Sequence, residues 1–249
     1  MKPLVVVTGG RRGVGAGIAV EFAARGFNVA IIDICGDGSA EVIKKVNELG
    51  VQAEFFQSDL GDVDRHAEVV EKIQNWGGPI TCLVNNAGSP SQSRGDILTV
   101  TPRSYDRVQG INLRGTFFFT QAVAQHMLTV QTEFVRSIVT VSSVNAERPH
   151  VMRTEYCMSM SGLGMMTRLF ASRLAPLGIG VFEVRPILVK SPSGLQGSQT
   201  HAPRVAASLG RWGFPLDVAY AAATLAEGKL GIATGSVVQV DGGLSLQKL

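Results

Sequence analysis

Cysteine is scarce in this chain and follows no pattern. The three in 249 residues, Cys35, Cys82 and Cys157, are odd in number and far apart, which excludes a disulfide framework or a zinc cluster and leaves free buried thiols as the expectation. A surplus of either charge is missing too. With 23 Lys and Arg against 20 Asp and Glu and no basic run, nucleic acid is not an expected partner. No apolar stretch reaches the ~18 residues that span a bilayer, and neither a charged leader nor a small-residue cleavage site precedes the first apolar run. The expectation is a soluble, cytoplasmic protein without membrane contact. Internal repeats and low-complexity tracts are lacking as well.

What is present is apolar sequence in short pieces. At 45 % hydrophobic residues the chain can bury a large core, and α/β chains of this length often form one domain, expected here over 1–249. Seven β-branched runs, 4–7, 29–32, 53–56, 82–84, 138–141, 181–184 and 237–240, alternate with segments long enough for crossover helices. Their near-continuous apolar character suits parallel strands covered on both faces. The predicted fold is α/β: a single Rossmann-type, doubly wound, parallel seven-stranded sheet in a three-layer sandwich. One segment breaks this rhythm. Residues 190–203 are rich in Ser, Gly and Pro without periodicity, which predicts a mobile substrate loop over 190–210.

The first run leads into Thr8-Gly9-Gly10-Arg11-Arg12-Gly13-Val14-Gly15, followed by a helical pattern with Ile18, Phe22 and Ala23 on one face. A strand turning sharply into a helix needs residues free of Cβ restraint. A pyrophosphate must also approach the backbone N–H groups and the positive end of the helix dipole. Gly9, Gly13 and Gly15 meet those needs, with Val14 between the last two, so the turn reads as a phosphate cradle. Asp33 ends the second run, 18 residues past Gly15, where a carboxylate accepts hydrogen bonds from adenosine ribose hydroxyls. A 2′-phosphate there meets like-charge repulsion, which Arg12 in the turn partly offsets. The expected cofactor is NAD(H), with NADP(H) the second choice.

The spacing Thr-Gly-x-x-x-Gly-x-Gly resembles the short-chain dehydrogenase/reductase family, and the likeness spans nearly the whole chain. Asp59-Leu60 resembles the family's adenine-contacting pair. Asn85-Asn86-Ala87-Gly88 is similar to its Asn-Asn-Ala-Gly motif, which implies that Asn86, Ala87 and Gly88 serve the cofactor. Asn112, in Ile-Asn-Leu-Arg-Gly-Thr, sits where the family keeps a catalytic Asn. Arg211-Trp212-Gly213 with Pro215, Asp217 and Val218, then Thr234-Gly235 and Val240-Asp241-Gly242-Gly243, resemble the branch of 3-oxoacyl-carrier-protein reductases. Homotetramers prevail in that branch, so the resemblance implies a homotetramer or a homodimer.

Hydride transfer to a carbonyl leaves charge on oxygen, so the site needs a donor to polarise that oxygen and an acid to protonate it. By resemblance Ser143 polarises, and Tyr156, 13 residues later, donates or abstracts the proton. The family then has a Lys four residues after the Tyr, where this chain has Met160. In relatives that ammonium favours tyrosinate and hydrogen-bonds the nicotinamide ribose, whereas a thioether has no charge and no strong donor. A Tyr at its reference pKa of about 10 is ionised to only roughly 0.3 % at pH 7.5. Alcohol oxidation, which needs the base, is therefore expected to suffer more than carbonyl reduction, which needs the acid. Arg185-Pro186-Ile187 stands where the family has Pro-Gly near the nicotinamide, so Pro186 is expected to line the ring and Ile187 to crowd it. Ser191 replaces a family Thr and keeps the hydroxyl that reaches the carboxamide. As substitute cations, Arg153 and Arg168 have no obvious path to Tyr156, and Lys190 reads more simply as a solvated loop cation.

With Asn112, Ser143 and Tyr156 present, the leading expectation is an NAD(P)-dependent oxidoreductase interconverting a small-molecule carbonyl and a secondary alcohol, impaired by the missing Lys. The alternative is a catalytically weakened homologue that binds dinucleotide as a sensor or a non-catalytic subunit. Isomerisation or dehydration without a reductant has no supporting feature. The substrate is set by 190–203 and 89–95, neither of which carries a readable code. No metal is expected.

Overall fold

Strand β1 (Leu4–Thr8) shows how the sheet is built. Leu4, Val5, Val6 and Val7 are all fully buried, yet Val5 and Val7 join one apolar cluster while Leu4 and Val6 join another. Side chains alternate along a strand, so a continuous apolar run signals helices on both faces. The computed structural model describes residues 2–91, 95–187, 189 and 207–246. The other strands are β2 (Asn28–Asp33), β3 (Ala53–Gln57), β4 (Ile80–Asn85), β5 (Arg136–Val141), β6 (Ile179–Pro186) and β7 (Val237–Val240). They form one parallel seven-stranded sheet in the order β3-β2-β1-β4-β5-β6-β7.

Helices α1 (Gly13–Ala24), α2 (Ser39–Glu48) and α7 (Pro215–Ala226) pack on one face through Ile18, Phe22, Val46 and Ala222. Helices α3 (His66–Gly77), α5 (Thr116–Thr129) and α6 (Thr154–Leu174) cover the other through Ile73, Phe119, Val123 and Leu174. The strand order reverses between β1 and β4, and in such sheets the crevice at the strands' C-terminal ends is where ligands bind.

Two features go beyond the sequence reading. Helix α4 (Pro102–Gln109), whose Thr101 cap accepts from the Ser104 N–H at 3.2 Å, runs through a π turn over Gly110–Gly115 directly into α5. Gly115 is required there, since a Cβ would stand 2.2 Å from the Leu60 carbonyl oxygen. Strand β6 is longer than the expected 181–184, because the charged Glu183 and Arg185 neutralise each other while buried and the backbone ladder continues to Pro186. Of the expected loop over 190–210, residues 190–206 lie outside the described residues, and with them Lys190 and Ser191. Among the described residues no helix is long and apolar enough to cross a membrane, and no His, Cys, Asp and Glu cluster is placed to hold a metal.

Candidate dinucleotide and catalytic site

The chain leaves the sheet at Thr8 and turns through Gly9 and Gly13, with φ of +66° and +58°, a left-handed region that disfavours side chains. Gly15 is fixed by space: a Cβ there would lie 2.1 Å from the Gly9 carbonyl oxygen and 2.6 Å from Asn86 Nδ2. Val14 packs against the core beside them. Helix α1 begins without a side-chain cap, for Arg12 at the cap position makes no capping bond and the first turn holds no acid. The unpaired N–H groups and the positive helix end remain free for an anion. A pyrophosphate fits this cradle.

Asp33, at the end of β2, has a partner that spacing did not reveal. Arg11 Nε lies 3.5 Å from Asp33 Oδ1, and Arg11 Nη1 donates to the Asp37 carbonyl at 2.7 Å. The cation beside Asp33 is therefore Arg11. Arg12, which the sequence reading put in that role, is exposed at the helix cap. Two neighbours in a turn point different ways, and motif spacing does not say which turns inward. Past β3, Asp59 Oδ1 accepts from the Gly61 N–H at 2.8 Å, while the buried Leu60 accepts at its carbonyl from His66 Nε2 at 3.2 Å.

Asn86 faces back into the cradle. Its Nδ2 donates to the carbonyls of Thr8 (3.0 Å) and Gly9 (3.2 Å), and the N–H groups of Asn86 and Ala87 donate to Thr8 Oγ1. The amide thus holds the glycine turn in place. Beyond Gly88, Asn112 is fully buried in the π turn, accepting from the Ser89 N–H at 2.7 Å and donating to the Ser89 carbonyl at 3.0 Å. Its Nδ2 also reaches Ser159 Oγ at 3.0 Å, and Ser159 Oγ donates to the Tyr156 carbonyl at 2.8 Å. Asn112 therefore joins the loop after β4 to the first turn of α6. Neither Thr8 nor Ser159 stood out by motif as carrying a role.

Ser143 follows β5 and caps a short turn (Val144–Ala146), its Oγ accepting from the Asn145 N–H at 3.2 Å. Tyr156 sits in the first turn of α6, where burial pushes its pKa above the ordinary value. The Ser143 hydroxyl and the charge of Arg153 pull in the opposite direction. Arg153, which in sequence has no obvious path to Tyr156, stands before the helix at φ −141°, and its charge lowers the pKa of the phenol. Met160 is buried among Leu163 and Met166, with Leu113, Phe117, Ala146 and Tyr156 around them. The position one turn after Tyr156 is an apolar contact. Pro186 is paired in register with Val240 at the end of β6. Ile187 donates its N–H to the Val240 carbonyl at 3.0 Å and borders a cavity with Leu209 and Trp212.

Known proteins share this architecture throughout. The family model described as enoyl-(acyl carrier protein) reductase matches residues 9–245. The 3-oxoacyl-[acyl-carrier-protein] reductase FabG of Thermotoga maritima is 31 % identical over 243 residues, covering 96 % of both chains. The 3β-hydroxysteroid dehydrogenase 1 of Eggerthella lenta is 31 % identical over 97 % of this chain and 93 % of its own. A crystal structure of 3-oxoacyl-[acyl-carrier protein] reductase from Brucella melitensis in complex with NAD is 42 % identical, with a TM-score of 0.96 over 100 % of this chain and 99 % of that one. The chain belongs to the short-chain dehydrogenase/reductase family, in its 3-oxoacyl-acyl-carrier-protein reductase-like branch, and is an oxidoreductase that uses a nicotinamide dinucleotide.

Proposed function

We propose that this enzyme uses NAD(H) to interconvert a small-molecule carbonyl and a secondary alcohol through Ser143, Tyr156 and Asn112, and that Met160 limits its rate. The observation that carries the reading is the placement of Ser143 after β5 against Tyr156 in the first turn of α6, where the Ser143 hydroxyl counters the upward pull of burial on the phenol. When bound, the nicotinamide supplies or accepts the hydride. Ser143 polarises the carbonyl oxygen, Tyr156 gives it a proton, and Asn112 fixes Ser89 and the first turn of α6. The raised pKa keeps Tyr156 protonated at neutral pH, which suits reduction and works against oxidation. Met160 supplies neither the cation that would promote tyrosinate nor a donor for the ribose.

In this reading Gly9, Gly13, Val14 and Gly15 surround the pyrophosphate, Asp33 takes the adenosine ribose, and Asp59 and Leu60 flank the adenine. Asn86, Ala87 and Gly88 shape the turn, and Pro186 and Ser191 serve the nicotinamide. Asp33 supports NAD(H); its pairing with Arg11 lowers the repulsion of a 2′-phosphate and keeps NADP(H) as second coenzyme. The chain works as one dinucleotide-binding and catalytic domain in the cytoplasm, with residues 190–210 selecting the substrate. An apolar groove between the π turn, α5 and α6, with Phe118, Met165 and Leu169 exposed, supports assembly as a homodimer or homotetramer.

The test is reduction by NADH of a carbonyl panel that includes a 3-oxoacyl thioester, a ketosteroid and a keto sugar. Turnover by the native protein supports the reading. Bound NADH with no turnover overturns it in favour of a sensor or non-catalytic subunit, the reading favoured by Met160 in its apolar cluster.

A further inference from the structure

Beneath α6 lies a charged cluster that hydride transfer does not use. Glu183 is fully buried, and Arg185 on the same strand is nearly so. Arg185 Nε donates to Glu183 Oε1 at 2.6 Å and Nη2 to Oε2 at 3.1 Å, a forked, charge-assisted pair. A buried pair of this kind is weak grounds for stability, since removal of both charges from water costs about as much as their attraction returns. Its position is more telling. Ser142 Oγ donates to Glu183 Oε1 at 2.5 Å, and the Ser142 N–H donates to the Val184 carbonyl at 2.9 Å. Five residues on, Glu147 accepts from Arg185 Nη1.

The segment that carries Ser143 is therefore tied to one ion pair at both of its ends, by Ser142 before it and Glu147 after it. The space is also closed from above, because a Cβ at Gly164 of α6 would lie 3.0 Å from Arg185 Nη2 and 3.2 Å from Glu183 Oε2. Helix α6, which carries Tyr156, thus rests on the same pair that holds the Ser143 segment. We infer that Glu183, Arg185 and Glu147 form a clamp that sets the position of Ser143 against Tyr156. All three are positioning residues. The inference rests on Ser143 and Tyr156 being the working pair.

Glu147→Gln tests it with little risk to folding, because the Glu147 side chain is 63 % exposed and the buried pair keeps its internal charge balance. The readout is ionisation of 3-fluorotyrosine at position 156, which titrates at milder pH than tyrosine, followed by fluorine NMR with Tyr105→Phe and Tyr220→Phe in the background. The sign discriminates. Loss of a negative charge near a phenol lowers its pKa by electrostatics alone. A loosened clamp moves the Ser143 hydroxyl away from the phenol, removes its downward pull and raises the pKa. The expected result is an upward shift, smaller than that produced by Ser143→Ala and absent when Glu147→Gln is made on the Ser143→Ala background. A pKa that is unchanged or lowered overturns the inference, as does an upward shift that survives Ser143→Ala. The titration needs neither coenzyme nor substrate, so absence of turnover would sink the proposed function and leave this result standing.

Discussion

Met160→Lys is the perturbation that bears most directly on the catalytic half of the site. Residues four apart on a helix have Cβ atoms about 5–6 Å from each other, so an ammonium at 160 comes within roughly 5 Å of the Tyr156 ring. At that distance, and an effective dielectric of about 20, opposite charges attract by about 3 kcal/mol, roughly a hundredfold in the ionisation constant of the phenol. The native environment works the other way, because burial disfavours tyrosinate and Met160 offers nothing to offset it. Alcohol oxidation at pH 8 is thus expected to rise by one to two orders of magnitude in the variant, while carbonyl reduction at pH 6.5, which draws on protonated Tyr156, changes much less. The cost falls on stability. Met160 is only 4 % exposed among Leu163, Met166 and Phe117, so an ammonium there is expected to cost several kcal/mol, on the order of ten degrees in Tm for a chain of this size. Steady-state assays in both directions with NAD and NADH, alongside thermal denaturation, read both effects. An oxidation rate unchanged in a folded Met160→Lys protein would refute the reasoning.

Gly15→Ala places a methyl 2.1 Å from the Gly9 carbonyl, so it is expected to lower NADH affinity at least tenfold in a fluorescence titration while the sheet stays folded by circular dichroism. Arg11→Ala leaves Asp33 unpaired against a 2′-phosphate and is expected to weaken NADPH more than NADH, read as the ratio of the two Kd values; an unchanged ratio contradicts the placement of Arg11. His66 and His126 both have pKa values held down by burial, and His126 Nε2 must stay unprotonated to accept from the Ile80 N–H at 3.2 Å. The unfolded chain takes up these protons near pH 6.5, so the stability they confer is complete above that pH and is lost as pH falls toward the depressed folded values. The slope is up to about 1.4 kcal/mol per pH unit for each histidine. His126→Gln, whose carbonyl can accept the same bond, is expected to flatten the fall of Tm between pH 6.5 and 5, and an identical slope would count against it.

Much of the fold was legible because burial on both faces leaves an unusual trace: strands such as β1 and β4 are apolar without alternation. The cradle was legible for a related reason, since turns that need positive φ or a missing Cβ leave glycines at fixed spacing, as at Gly9, Gly13 and Gly15. Charge placement was not legible. Arg185 follows directly on the run read as 181–184, although in the fold its pairing with Glu183 offsets the cost of burying both and the strand continues to Pro186. The choice between Arg11 and Arg12 depends on which neighbour turns toward β2, and the π turn around Asn112 depends on Gly115 meeting Leu60, two residues far apart in the chain. Local pattern encodes which backbone is possible; long-range contact decides which side chains meet.

The proposed function joins a dinucleotide site to the pair Ser143 and Tyr156, with Met160 one turn after the phenol. Titration of native protein with NADH and NADPH, followed by stopped-flow mixing of the NADH complex with a carbonyl that the protein turns over, tests both parts at once. The expected result is saturable binding at one site per chain, tighter for NADH, and slow hydride transfer that Met160→Lys alters chiefly in the oxidative direction. Absence of saturable binding, or hydride transfer equally fast in both directions in the native protein, would contradict it.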